Sequence, residues 1–224
     1  YPAGRPASGF WQMTHDQIPV INEGDVMLRI NWISVDPGMS GWITNKRSYM
    51  PAVKPGSIMR AFGLGEVVES NSDSLSVGDT VTGFTGVCTH AVLSDKYLRK
   101  VDISEAPPQM YLSALGMTGY TGYFGMTDIG RPEPGQTVVV SSAAGAVGSV
   151  ASQIAKKIGA RVVGVAGGPD KKSYLLDELG LDAAIDYRNE ELAASLEIAA
   201  PGGIDVYFDN VGGEFLDAAL MQMN

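Results

Sequence analysis

The sequence predicts an α/β protein in two parts, a turn-rich β unit followed by a doubly wound parallel sheet. Three observations carry that prediction. Short runs with mostly alternating apolar residues, broken by Gly, Pro and Asp, fill the first half. Continuous β-branched runs alternate with amphipathic segments in the second, as expected for strands covered on both faces. The 28 glycines among 224 residues are unusually many, and point to demanding backbone geometry.

Along the chain, Glu23-Gly24-Asp25 forms a turn into a strand from Val26 to Ile33, which Asp36-Pro37-Gly38 ends because proline cannot donate to a ladder. Further strands are expected at Gly65 to Glu69, Asp79 to Thr82 (opened by a tight turn at Gly78-Asp79) and Val87 to Leu93. Val101 to Gln109, containing Pro107-Pro108, reads as a connector, which divides the chain into domains 1–108 and 109–224. Strands then follow at Thr137 to Ser141, Arg161 to Val165, Ala183 to Ile185 and Ile204 to Phe208. Helices are expected at Val147 to Ile158, Pro169 to Leu179 (opened by proline, closed at Gly180), Glu190 to Ala199 and Glu214 to Met221. Strand–helix units repeated four times imply a parallel sheet with right-handed crossovers.

Composition excludes several function classes. Sixteen basic against 25 acidic residues give a net charge of −9, a poor match for nucleic-acid phosphates. The one cysteine, Cys88, rules out an intrachain disulfide and fits a reducing, cytoplasmic setting. No apolar run approaches the roughly 18 residues of a membrane helix, and no signal peptide is expected before Tyr1. Cys88 and His90 lie two apart on a predicted strand and so share a face. No third soft ligand accompanies them, so packing of Cys88 in the core and no metal are expected. Neither histidine lies in a nucleophile-like context.

The sharpest signal is Ser142-Ala143-Ala144-Gly145-Ala146-Val147-Gly148, set between a buried strand and its helix. Small residues there let backbone approach a pyrophosphate, and helix-opening amides donate to it. Close strand–helix packing alone would also explain them. At the next strand's tip, Val165 to Gly168 carries no carboxylate to hold a ribose, and Lys171-Lys172 follow. This favours NADPH over NADH, since either lysine can neutralise a 2′-phosphate; a solvated helix face is the alternative. Asp170 is expected to cap the following helix.

Taken together, Gly116 to Gly125, Asp128-Ile129-Gly130 to Pro134-Gly135, and Ala143 to Gly148 resemble the zinc-independent medium-chain dehydrogenases/reductases. The likeness is to the prostaglandin reductase, leukotriene hydroxydehydrogenase, alkenal double-bond reductase and curcumin reductase group. Ser34-Val35-Asp36-Pro37, Gly78-Asp79 with Val81 and Gly83, and Tyr207 to Gly213 extend it over nearly the whole chain. The resemblance implies a GroES-like substrate domain before a Rossmann domain, and NADPH-dependent reduction of the C=C bond of α,β-unsaturated carbonyl compounds. It places Gly145, Ala146, Val147 and Gly148 on the pyrophosphate and selects Lys171 for the 2′-phosphate. Tyr187 resembles the tyrosine on the adenosine side, and Asn210 the asparagine beside the nicotinamide ribose. Met117 and Thr121 match positions near the nicotinamide. A strand-end aromatic, a turn and plain core remain the alternatives for Tyr187, Asn210 and Met117 respectively.

Gly38-Met39-Ser40 departs from the group, which has a bulky aromatic, Met and a basic residue after Asp-Pro, so two side chains near the substrate mouth are smaller and uncharged. The Rossmann fold needs two more strands than the chain supplies before Asn224, which reads as a fragment with Ile204 to Phe208 left as an exposed apolar edge. Without metal, an enolate oxygen needs hydrogen-bond donors. Tyr49, in a segment resembling a substrate-contacting loop, is the catalytic candidate; a rim aromatic without a proton role is the alternative. A quinone reductase of the same superfamily and a non-catalytic NADPH-binding protein are the competing functions, and an enoyl-reductase module of a larger synthase is a third. The expected partners are a small enone, alkenal or quinone and, as is common in the family, a second copy forming a homodimer; nucleic acid and membrane are not among them.

Overall fold

Val26 and Leu28 are fully buried and their neighbours less so along β1 (Asp25–Ile33), the period-two signature of a strand with one face on a core. A single-turn helix, α1 (Met39–Trp42), follows, and then β2 (Phe62–Ser70), β3 (Thr80–Phe84), β4 (His90–Ser94) and β5 (Arg99–Lys100). These strands form an antiparallel sheet ordered β4-β1-β2-β3-β5 around Val26, Leu28, Val67, Leu75 and Val81. The Gly78-Asp79 turn is made as expected. Gly78 takes φ +93°, and Asp79 accepts from the Ser76 amide at 3.0 Å and pairs with Lys100 at 2.6 Å.

The fourth strand starts later than the sequence predicts. The Val87 amide is taken by the Met59 carbonyl at 2.8 Å, so Cys88 precedes β4 and does not share a strand face with His90. Cys88 is half-buried rather than core, its thiol donating to the Thr85 carbonyl at 3.4 Å. Burial pushes its pKa up.

This computed structural model describes residues 8–44 and 50–224, in two compact units, Tyr1–Leu112 and Ser113–Asn224. The second unit opens with α2 (Met117–Phe124), which runs into a π-helical turn at Gly125–Gly130. It continues through β6 (Thr137–Ser141), α3 (Ala146–Ile158), β7 (Arg161–Ala166) and α4 (Pro169–Ser173). A further π-helical turn at Tyr174–Glu178 precedes β8 (Ala183–Asp186), α5 (Leu192–Ala199), β9 (Val206–Phe208) and α6 (Glu214–Leu220). The four strands are parallel in the order β8-β7-β6-β9.

The unbroken apolar runs are explained by cover on both faces. Val138, Val140 and Val162 pack with Ala151 and Ala155 of α3, while Val139, Val163 and Val165 pack with Leu196 of α5 and Ala219 of α6. The chain reverses its winding between β6 and β9, which places a crevice beyond the carboxyl ends of those two strands.

As expected, the 204–208 segment lies at an edge of the sheet, where β9 pairs with β6, but that edge is partly covered rather than fully exposed. Ile204 is fully buried and bridges Met223, with hydrogen bonds from Ile204 to Gln222 and from Asn224 to Ile204. The β9 residues are half-buried because Tyr207 and Phe208 pack into the two cores on opposite faces. Among the described residues, no helix is long and apolar enough to cross a membrane.

Candidate functional site

The four parallel strands finish at one edge: Ser141 pairs with Val165, Ala166 with Asp186, and Val140 with Phe208. The loops beyond that edge carry the 145–148 turn, Lys171, Tyr187 and Asn210, so these expected residues share one end of the sheet. Tyr49 lies outside the described residues.

Past β6 the chain turns through Ser142, at a left-handed φ of +49°, and the Gly145 amide donates to the Ser142 carbonyl at 2.8 Å. The first i−4 bond of α3 runs from Ser149 to Gly145. The amides of Ala146, Val147 and Gly148 therefore open the helix without i−4 partners inside it. A Cβ on Gly148 would lie 2.3 Å from the Ser142 carbonyl oxygen and 2.8 Å from Ala143 Cα. Packing alone thus requires glycine at 148, and the open amides are what that packing presents to the crevice. Adjacent donors at a positive dipole end, unobstructed by long side chains, fit a pyrophosphate.

At the tip of β7, the two lysines separate. Lys172 Nζ pairs with Glu190 Oε1 at 2.5 Å and holds the Glu190 carboxyl below its ordinary range. Lys171 is exposed and makes no ion pair among the described residues. Asp170 does not cap α4. Its N-cap is Gly168, at φ +99°, with no side-chain cap, and Asp170 sits inside the first turn. The carboxylate that braces this loop comes instead from the next strand. Asp186, buried at the end of β8, accepts from the amides of Gly168 at 2.6 Å and Arg188 at 3.1 Å through Oδ1, and from the Asn189 side chain through Oδ2. The Gly168 bond first, then the Asn189 bond, lower its pKa. Tyr187 is 40% exposed and meets Phe215 edge to face at 5.0 Å.

At the end of β9, Asn210 is tied to β6. Its amide donates to Ser141 Oγ and its side-chain Nδ2 to the Ser141 carbonyl, both at 2.8 Å. Asp209 Oδ1 accepts from the Val211 and Gly212 amides at 3.0 and 2.9 Å, from Ser141 Oγ and from Tyr207 OH, each at 3.2 Å. Burial opposes ionisation of Asp209, but these bonds outweigh it and its pKa is lowered. Burial beside that carboxylate pushes Tyr207 up to about 12. Ser141, Asp186 and Asp209 are thus site-forming residues that sequence reasoning missed. The serine ending a β-branched run and the position of Asp209 within the Tyr207 to Gly213 stretch are the signals for two of them, and Asp186 carries none.

Met117 and Thr121 ride on α2, which lies along the start of α3. A Cβ on Gly122 would be 3.1 Å from the Val147 carbonyl. Met117 is 63% exposed and so is not core, while the Thr121 hydroxyl donates to the Met117 carbonyl at 2.8 Å.

Residues 1–101 match the family described as the N-terminal domain of oxidoreductase, and residues 146–224 the family described as zinc-binding dehydrogenase. The NADPH-dependent curcumin reductase of Escherichia coli is 39% identical over all of this chain and 65% of its own length. The NADP(+)-dependent 2-alkenal reductase of Nicotiana tabacum is 36% identical over all of this chain and 67% of its own. The chain belongs to the medium-chain dehydrogenase/reductase family.

Within that family it falls in the group of curcumin, prostaglandin and alkenal reductases. CurA of Vibrio vulnificus, solved in complex with NADPH, superposes with a TM-score of 0.93 at 37% identity, over all of this chain and 66% of that one. This medium-chain dehydrogenase/reductase chain spans about two thirds of the length of the relatives it matches. Its fold is the family's GroES-like β unit followed by a Rossmann sheet. Although one matching family is described as zinc-binding, no group of three or more His, Cys, Asp or Glu side chains that could hold a metal occurs among the described residues.

Proposed function

We propose that this chain is the substrate-domain and cofactor-domain portion of an NADPH-dependent reductase acting on the C=C bond of α,β-unsaturated ketones or aldehydes. The observation that carries the reading is the row of open amides at Ala146, Val147 and Gly148 in the crevice between β6 and β9, with Lys171, which makes no ion pair among the described residues, in the neighbouring α4. The curcumin and alkenal reductase relatives support the substrate class. NADPH, when bound, supplies the hydride.

The roles proposed for the chain's own residues come from the family resemblance, and for 145–148, Lys171, Tyr187 and Asn210 a shared end of the parallel sheet supports them. The 145–148 backbone holds the pyrophosphate, Lys171 neutralises the 2′-phosphate, and Tyr187 borders the adenosine. Asn210, its rotamer fixed by the bond to the Ser141 carbonyl, faces the nicotinamide ribose. Met117 and Thr121 border the nicotinamide. Tyr49 donates a proton through its phenol oxygen to the substrate carbonyl oxygen. In this reading residues 1–108 serve the substrate and 109–224 the cofactor, no metal takes part, and the protein works in the cytoplasm as a homodimer.

Incubation of the protein with NADPH and a panel of enones, alkenals and quinones, followed at the nicotinamide absorbance, tests the reading. Oxidation of NADPH with saturation of the enone C=C bond is expected. Consumption with quinones alone makes it a quinone reductase, and uptake of NADPH without turnover on any acceptor makes it a binding protein.

A further inference from the structure

Arg188 lies where no sequence motif draws attention to it. A Cβ on Gly167 would stand 2.8 Å from Arg188 Nε and 2.9 Å from the Tyr187 ring, so the arginine stem and the tyrosine both lie over the glycine turn at the tip of β7. One carboxylate oxygen fixes this arrangement. Asp186 Oδ1 takes the amides of Gly168 and Arg188 together, locking the loop that leads to Lys171 against the loop that carries Arg188. The other nearby charges are spent or opposed. Lys172 is paired with Glu190, whose Oε1 also accepts from the Asp186 amide at 3.1 Å. Asp170 is the remaining acid of the first loop. Arg188 is exposed and makes no ion pair among the described residues. Two exposed cations, Lys171 in the helix that follows one clamped loop and Arg188 on the other loop, therefore border the turn at which a doubly wound sheet receives the adenosine ribose.

We propose that Arg188 is a second cation for the cofactor's 2′-phosphate and that, together with Lys171, it sets the preference for NADPH over NADH. A planar guanidinium offers paired donors to phosphate oxygens, which an ammonium at Lys171 does not, so the two groups play different parts. The Gly167 turn gains a purpose as well: any side chain there would displace the guanidinium from its seat. This inference rests on the dinucleotide reading above.

The test is equilibrium titration of the protein with NADPH and with NADH, followed by nicotinamide fluorescence, for wild type, Arg188→Met, Arg188→Lys and Lys171→Met. Methionine keeps an apolar stem over Gly167 and removes the charge. Arg188→Met is expected to weaken NADPH about tenfold and to leave NADH within about twofold, with partial recovery in Arg188→Lys. Competition by 2′,5′-ADP should weaken in parallel, and competition by 5′-AMP should not. An unchanged NADPH-to-NADH ratio in Arg188→Met, or an equal loss for both nucleotides, overturns the assignment; the latter makes Arg188 a brace for the loop. Wild type without measurable NADPH uptake would instead overturn the dinucleotide reading and this inference with it. A ratio that moves only in Lys171→Met overturns the part given to Arg188 alone.

Discussion

Gly148 and Lys171 are constrained by different physics, and substitutions should separate them. At Gly148 the added methyl of alanine meets the Ser142 carbonyl oxygen at 2.3 Å and Ala143 Cα at 2.8 Å, both backbone atoms, with no flexible side chain to give way. Gly148→Ala should cost about 1–3 kcal/mol in chemical denaturation, because α3 has to move off the turn that precedes it. A change within experimental error would show that the helix is not seated as described. Lys171→Ala should leave stability unchanged, since the side chain is exposed and makes no ion pair among the described residues, and should lower the ratio of NADPH to NADH affinity about tenfold. A preference that survives intact would withdraw the phosphate contact. Tyr49→Phe should slow turnover on an enone while NADPH affinity stays nearly the same, and an undiminished rate would remove Tyr49 from the chemistry.

At the scale of elements, β6 and β9 are joined beyond their ladder by Ser141, whose hydroxyl accepts from the Asn210 amide and whose carbonyl accepts from the Asn210 side chain. Ser141→Ala leaves the Asn210 amide without its partner in a part-buried site, a loss of about 1–3 kcal/mol that a denaturant titration would register. Bonds of this kind mark where the sequence was hard to read. The Thr137–Ser141 run is visibly a strand, since five consecutive buried positions leave no polar face to hide. The Gly145–Gly148 turn is equally visible, because its meaning comes from the strand before it and the helix after it. The partners of Ser141 lie 67 to 69 residues away, and no local pattern reports such a distance. Asp186 is hidden for the same reason: the carboxylate that orders the β7 tip belongs to β8, 18 residues on from Gly168, whereas Asp170 is the acid that lies near that tip in sequence. The late start of β4 has a similar origin, because the Val87 amide was claimed by Met59 rather than by a ladder partner.

For the second unit as a whole, carboxylates fasten both edges of the parallel sheet. Asp205 and Asp182 accept from the amides that begin β6 and β7, Thr137 and Val162, each at 2.7 Å, while Asp186 and Asp209 hold the loops at the opposite edge. All four have lowered pKa values. The Asn224 side chain is the leading cause at Asp205 and the Gly168 amide at Asp186, whereas at Asp182 and Asp209 hydrogen bonds outweigh an opposing burial. A carboxylate more acidic in the native state stabilises it above the unfolded pKa, and that contribution drains away as pH falls through the native value. The denaturation midpoint should therefore hold steady above about pH 5 and fall progressively below about pH 4, and a midpoint indifferent to acid would contradict the fastening role. Docking of the cofactor on the α3 amides is tested most directly by the backbone amide spectrum of the protein during titration with NADPH. The resonances of Ala146, Val147 and Gly148 should shift most strongly, followed by those of residues 167–172 and Asn210. Saturable NADPH binding that leaves the three helix-opening amides unmoved would contradict that docking.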